Sequence, residues 1–263
     1  MKIIDCHSHV VAVPVGGKLA RIEELAENMK RNGISKSIVF TSLARGGVYD
    51  YPLEDLMKGI SRGKMKLAYT VNVNGDLEEQ ASFIEESLVN KRIVGIKIML
   101  GYHHIHADDG RLDKLYELCE MNDAPAIFHT GDTFYPEGRV EFSHPIRLDN
   151  VAVKHPEMKI IMAHVGNPWI VDASEVIYKN KNVYGDLSGL ILDFKNEKYT
   201  ELIRRRVNDL IAYAGGEKLL FGTDFPLTDT RRYIQFVDSL DLSYKEKELT
   251  FFRNAERLFK IKV

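Results

Sequence analysis

Cysteine is scarce in this 263-residue chain: Cys6 and Cys119 are its two, too few for a disulfide framework, and they read as reduced core residues of a strand and a helix. No uninterrupted apolar stretch is long enough to span a bilayer, and the amino terminus shows neither the charged nor the apolar region of a secretory leader. The expectation is a cytoplasmic protein with no membrane partner. A long basic run is also missing and the formal net charge is −2, which excludes the electrostatic footprint of a nucleic-acid binder. No segment has the composition of a linker, so residues 1–263 read as a single domain. What is present, 44% hydrophobic and 28% charged residues, is enough to fill a sizeable core and leaves small molecules as the expected partners. The number of subunits is not readable, and a homo-oligomer stays open.

Strand-like and helix-like runs alternate from end to end. The strand-like runs are Lys2 to His9, Ser37 to Thr41, Lys66 to Val73, Ile93 to Leu100, Ala126 to His129, Lys159 to His164, Val183 to Leu187 and Leu219 to Asp224. Between them apolar residues recur at helical spacing, as in Ile22, Leu25 and Met29 or Leu112, Leu115 and Leu118. Asp76 and Asp113 are placed as helix starts and Gly33 as a helix stop. Each return to a parallel strand needs a crossover, and eight such units at this length predict a closed (β/α)₈ barrel, an α/β fold. A doubly wound open sheet is the rival, and it would hold the first and last strands far apart.

Five polar residues terminate these apolar runs: His7, His9, His129, His164 and Asp224. Strand period places Asp5, His7 and His9 on one face. His129 and His164 lie 35 residues apart, near the roughly 30 or more of one βαβ unit, and His164 and Asp224 lie 60 apart, near two. On a barrel all five converge at the carboxyl-end mouth, where active sites form. Imidazole and carboxylate donors suit a divalent ion, Zn²⁺ first, and His7, His9, His129 and Asp224 supply a set that keeps a position for water. Such an ion lowers the pKa of bound water to roughly 7 and yields a hydroxide nucleophile. His164 is left to exchange protons with the water or the substrate.

The segment Asp5-Cys6-His7-Ser8-His9 resembles the D-x-H-x-H of strand one in the amidohydrolase superfamily, in its amidohydrolase-2 branch, the relatives of aminocarboxymuconate-semialdehyde decarboxylase. Phe128-His129-Thr130-Gly131 resembles its strand-five histidine, Ala163-His164-Val165-Gly166 its strand-six A-H-x-G, and Phe221-Gly222-Thr223-Asp224-Phe225-Pro226 its strand-eight F-G-[ST]-D-x-P. Tyr184 to Gly189 and Asn254 to Phe259 resemble the strand-seven segment and the closing helix. The resemblance spans nearly the whole chain. It implies one divalent metal, usually zinc, on His7, His9, His129 and Asp224, with His164 catalytic and Asp224 also accepting a proton as base.

Lys97 shares one face of its strand with Gly95 and Met99 in an otherwise apolar run, so an inward face buries an ammonium that needs a carboxylate or neutralisation. A carboxylated lysine bridging two metals, which some superfamily members carry at strand four, is the other reading of the same position. Two interruptions, Gly101 to Gly110 and Thr130 to His144, follow carboxyl strand ends and are the candidates for specificity. Tyr102, His103, His104, His106 and Arg139 are the candidate substrate contacts there, Trp169 is another just beyond strand six, and Arg147 is a further cation suited to a carboxylate. His144 and His155 read as ordinary loop and helix-end residues.

The leading function is a metal-dependent hydrolase in which hydroxide attacks an amide, ester or lactone carbonyl. The alternative, implied by the branch, is non-oxidative decarboxylation of an aromatic or unsaturated acid, which needs cationic recognition of a carboxylate. A third is a barrel that holds a metal without chemistry; His164 beside a complete donor set argues against it.

Overall fold

The computed structural model describes residues 1–15, 18–41, 52–60, 63–192 and 196–263, with the backbone alone for 12–15 and 18–19. Its strands are β1 (Ile4–Val15), β2 (Lys18–Ala20), β3 (Lys36–Thr41), β4 (Met65–Thr70), β5 (Ile96–Ile98), β6 (Pro125–His129), β7 (Lys159–Ala163), β8 (Val183–Asp186) and β9 (Leu219–Leu220). They run in the order β2-β1-β3-β4-β5-β6-β7-β8-β9, all neighbours parallel except the β1–β2 hairpin. The ends then meet. Cys6 N donates to Phe221 O at 2.9 Å, Asp224 N to His7 O at 2.8 Å and His9 N to Phe225 O at 2.9 Å, with a parallel bridge between Ser8 and Phe225. This seam closes the eight parallel strands into a barrel and rules out the open sheet.

Helices cover the outside because their apolar stripes need the strands. The helix Ile22–Asn32 buries Leu25 and Met29 and stops at Gly33, whose φ of 69° is the left-handed turn that glycine adopts without a Cβ clash. Asp76 caps the helix Leu77–Val89 by accepting from Glu78 N and Glu79 N. Asp113 is the first residue of its helix, and Asp109 caps the short turn before it, Gly110–Leu112. No helix of the described residues is long and apolar enough to cross a membrane.

Strand bounds differ from the sequence expectation where the ladder ends early. β5 keeps only Ile96–Ile98 and β9 only Leu219–Leu220, because their neighbours offer pairing partners over so short a span. Past those ladders the chain turns: Leu100–His103 is a short helix, where the sequence reads as the last residue of a strand and the start of a loop. β1 instead continues beyond His9 to pair with β2, so His7 and His9 lie inside a strand rather than at its end.

Side-chain alternation sets the interior. Tyr69 packs on Phe83 of the helix Leu77–Val89 and Phe128 packs on Tyr116 of the helix Asp113–Met121, so both face outward. Thr70 and His129 therefore face inward, and so does Lys97, the register partner of Thr70.

Candidate active site

His7, His9 and Asp224 each offer a donor atom within 4.8 Å of the others, the one group of the described residues so placed for a metal ion. His7 Nε2 is 3.5 Å and His9 Nε2 3.2 Å from Asp224 Oδ1. Donors on a tetrahedral Zn²⁺ at about 2.0–2.1 Å stand roughly 3.3 Å apart, so the trio fits that ion in both chemistry and spacing. The histidine pair and the carboxylate from the far end of the chain thus face one another across the seam.

His7, His129 and His164 each have one ring nitrogen committed, which decides what the other can do, while His9 Nδ1 has no hydrogen-bond partner among the described residues. His7 Nδ1 donates to Asp186 at 2.5 Å, leaving Nε2 with a lone pair toward Asp224. His129 Nε2 lies 2.9 Å from Asp132 O; a carbonyl only accepts, so this nitrogen carries the hydrogen and Nδ1 keeps the lone pair. His129 stands outside the trio, with its ring 4.9 Å from that of His164. His164 Nδ1 likewise donates to Ser188 O at 2.9 Å, freeing Nε2, and its ring is 4.9 Å from His7. Burial, reinforced by Lys97 and the neighbouring histidines, holds His7 and His129 far below the usual imidazole range, in the neutral form that ligation requires. Burial alone would raise the Asp224 carboxyl. The His9 hydrogen bond and the charges of His164, His9 and Lys97 outweigh it and hold the group at about 2.

The backbone at two of these residues is strained. His164 (φ 61°) and Asp224 (φ 60°) are both left-handed without being glycine, and Val165, β-branched, follows at φ 39°. Such conformations cost about 1–3 kcal/mol each and persist where surroundings over-determine them. Here the surroundings are close. A Cβ on Gly189, itself at φ 67°, would fall 2.7 Å from His164 Nδ1 and 2.8 Å from Asp224 Oδ2, and one on Gly222 would fall 2.6 Å from Asp186 Oδ1. Glycine at both positions lets the seam close around the site.

Two carboxylates that sequence reasoning left without a role organise this frame. Asp186 receives His7 Nδ1–H together with Ser188 N at 2.8 Å and Ser188 Oγ at 3.0 Å. It fixes the tautomer of His7, as a carboxylate behind a ligating histidine does. Asp5 accepts from His7 N at 3.1 Å, Ser8 Oγ at 3.0 Å, Thr223 N at 2.9 Å and Thr223 Oγ1 at 2.6 Å, joining β1 to the segment after β9. Burial pushes its carboxyl up to about 7 despite these donors. The signal available in the sequence was position: Asp5 is on the histidine face of β1, and Asp186 ends β8 as the other candidates end theirs.

Lys97 lies in the interior with 1% exposure, its Nζ without a hydrogen-bond partner among the described residues and 4.8 Å from the Phe40 ring centroid. Burial lowers its pKa to about 8, against the pull of Asp186 and Asp224. Tyr102 reaches the site: its ring is 4.8 Å from His129 and its hydroxyl accepts from Phe134 N at 2.7 Å. The other loop candidates are placed differently. His104 and His106 pack on Phe142, at 5.8 and 4.5 Å, tying the two long loops together, and His103 is half-buried with Nδ1 unpartnered. Arg139 is exposed, Trp169 stacks on His144 at 4.8 Å, and Arg147 pairs with Asp108 at 3.1 Å. His155 follows the helix Arg147–Lys154 as expected.

The Amidohydrolase family model matches residues 4–261, and the chain belongs to that family of enzymes. A gamma-resorcylate decarboxylase from Polaromonas sp. is 25% identical over 130 residues, 45% of this chain and 40% of that protein, so the match spans well under half of the relative. Among solved structures, an uncharacterised TIM-barrel protein from Bordetella bronchiseptica superposes with a TM-score of 0.79 at 19% identity, covering 99% of each chain. A 5-carboxyvanillate decarboxylase from Sphingomonas paucimobilis does so at 0.73 and 17%, again over 99% of each. At these identities the likeness of the two structures is one of fold.

Proposed function

We propose that this protein is a metal-dependent, non-oxidative decarboxylase of an aromatic or unsaturated carboxylic acid, the second of the two enzyme readings made from its sequence. Its relative acts on gamma-resorcylate, an aromatic acid, and the site suits such a reaction. His7, His9 and Asp224 would hold one divalent ion, zinc by the donor set, with His129 Nδ1 as a fourth donor. When bound, the ion supplies positive charge that polarises an oxygen of the acid.

The observation that carries the choice is how the proton-handling groups divide. A hydrolytic reaction asks the carboxylate after β9 to act as base, but Asp224 Oδ1 already stands in the donor set, 3.2 Å from His9 Nε2 and 3.5 Å from His7 Nε2. His164, pinned through Nδ1 and free at Nε2, is the group able to move a proton. In the forward reaction the protonated imidazole gives its Nε2 hydrogen to the carbon that bears the carboxylate. The carbon–carboxylate bond then breaks with its electron pair left on the substrate, CO₂ departs, and His164 regains a proton from solvent. The closed frame around it keeps the imidazole aimed at one point.

The test is a panel of aromatic and unsaturated acids scored for CO₂ release beside lactones and esters scored for hydrolysis. CO₂ from an acid, with His164→Gln lowering its rate by about 10²–10⁴-fold at unchanged metal content, is the expected result. Hydrolysis without any CO₂ release overturns the reading.

A further inference from the structure

Among the described residues His9 Nδ1 on β1 lacks a hydrogen-bond partner inside the barrel, and so does a pair of polar atoms on two neighbouring strands. Lys97 Nζ is one; Thr70 Oγ1, on the adjacent strand and at the same register, is the other. Both residues are buried, at 1% and 3% exposure, and both face the interior. The backbone N–H of Thr70 is satisfied by Thr41 Oγ1 at 2.7 Å, so the unsatisfied group is the hydroxyl alone. Among the described residues no carboxylate forms an ion pair with Lys97; what lies under the ammonium is the face of Phe40. That ring stands 4.6 Å from the His7 ring and 5.6 Å from the His9 ring, so the ammonium is a single aromatic ring away from the metal-binding pair.

A buried cation without a counter-charge is costly, and contact with an aromatic face offsets only part of that cost. β4 and β5 therefore present a positive charge and a hydroxyl donor on neighbouring strands, while the described residues provide no acceptor for either. An ammonium has three donors, and with the threonine hydroxyl beside it the pair matches the two oxygens of a carboxylate.

We propose that Lys97 Nζ and Thr70 Oγ1 form the carboxylate-binding subsite of this barrel, holding an acid group of the substrate beside the Phe40 ring. The inference rests on the acid-substrate reading above and adds the residues that select for it. It gives Lys97 a role as a free ammonium, distinct from a carboxylated bridge between two metals. Contact of this kind exists before the bond breaks as well as during it, so it acts on affinity more than on turnover.

Titration calorimetry with 2-hydroxybenzoate and 2-hydroxybenzamide on the metal-loaded protein tests it, with metal content measured for every sample. Wild type should bind the acid at least about tenfold more tightly than the amide, as a charge-assisted hydrogen bond provides. Lys97→Met should abolish that preference at unchanged metal content, and Thr70→Val should reduce it by about threefold to tenfold. The isosteric threonine variant keeps the test decisive if the lysine variant folds poorly. Retention of the full preference in both variants overturns the subsite, as does absence of preference in wild type. A mass gain of one CO₂ on Lys97 in the intact protein overturns it too. CO₂ release from an acid with a preference that ignores Lys97 removes the subsite and leaves the decarboxylase. Loss of preference in Lys97→Met, without CO₂ release from any acid, does the reverse.

Discussion

The two sides of the barrel interior treat their polar groups in opposite ways. Along the seam of β1, β8 and β9 most of the buried polar atoms are answered, with His9 Nδ1 the exception: Asp5 by four donors, Asp186 by His7 and Ser188, His164 by Ser188. Along β4 and β5, Lys97 Nζ and Thr70 Oγ1 are answered by nothing among the described residues. A fully satisfied network locks side chains into one geometry, while unsatisfied buried donors hold free energy in reserve for a ligand. On the proposed reading the seam would be the frame that fixes ligating groups, and the facing wall the place for an acid group.

Substitutions on the two sides should therefore differ in size and even in sign. The largest effect is expected for Asp5→Ala, which strands four donors at once and should cost at least about 3 kcal/mol in urea unfolding, since each unsatisfied buried group costs about 1–3 kcal/mol. A cost under 1 kcal/mol would mean the seam is not held by this carboxylate. Lys97→Met should act in the opposite direction. The unfolded chain keeps the lysine proton up to about 10.5 and the folded protein releases it near 8, so between those values the unfolded state holds more protons and wild-type stability rises with pH. The rise should approach about 3 kcal/mol across that window. It should be missing in Lys97→Met, which should be the more stable protein at pH 7; a flat wild-type profile would show that the ammonium is compensated.

Asp186→Asn sharpens the seam side. It keeps the volume of the side chain but weakens the grip on His7 Nδ1–H, and metal affinity measured against a competing chelator should fall by about 10–100-fold. Unchanged affinity would reduce Asp186 to a structural residue. The smallest effect belongs to Thr70→Val, which should leave stability within about 0.5 kcal/mol of wild type or raise it, because no partner is lost.

Much of this was legible in residue order. Strand and helix period predicted the barrel, and the polar residues at the ends of apolar runs predicted that distant groups meet; His7, His9 and Asp224 do. Helix punctuation at Asp76 and Gly33 was local chemistry and was read correctly. The hairpin strand β2 escaped notice because three residues carry too little period to be seen. The histidines of the strand-four loop were read as substrate contacts, yet His104 and His106 pack on Phe142, a partner from another loop that no spacing announces. Asp5 was read for its face and its motif and Asp186 for its motif alone, neither with a role, since a carboxylate that orients a ligand looks like any other until its partner is known.

What residue order determined by itself is the supply of parts: alternating elements, their punctuation, and donor side chains delivered to one end of a parallel sheet. These depend on neighbours a few positions away, which is why they can be read along the chain. Only the tertiary structure decided which nitrogen of His7, His129 and His164 is free, which carboxylate stands behind His7, and that Lys97 is buried with no hydrogen-bond partner among the described residues. Those outcomes turn on atoms brought within a few ångströms by closure of the barrel, and closure depends on the whole set of strands at once.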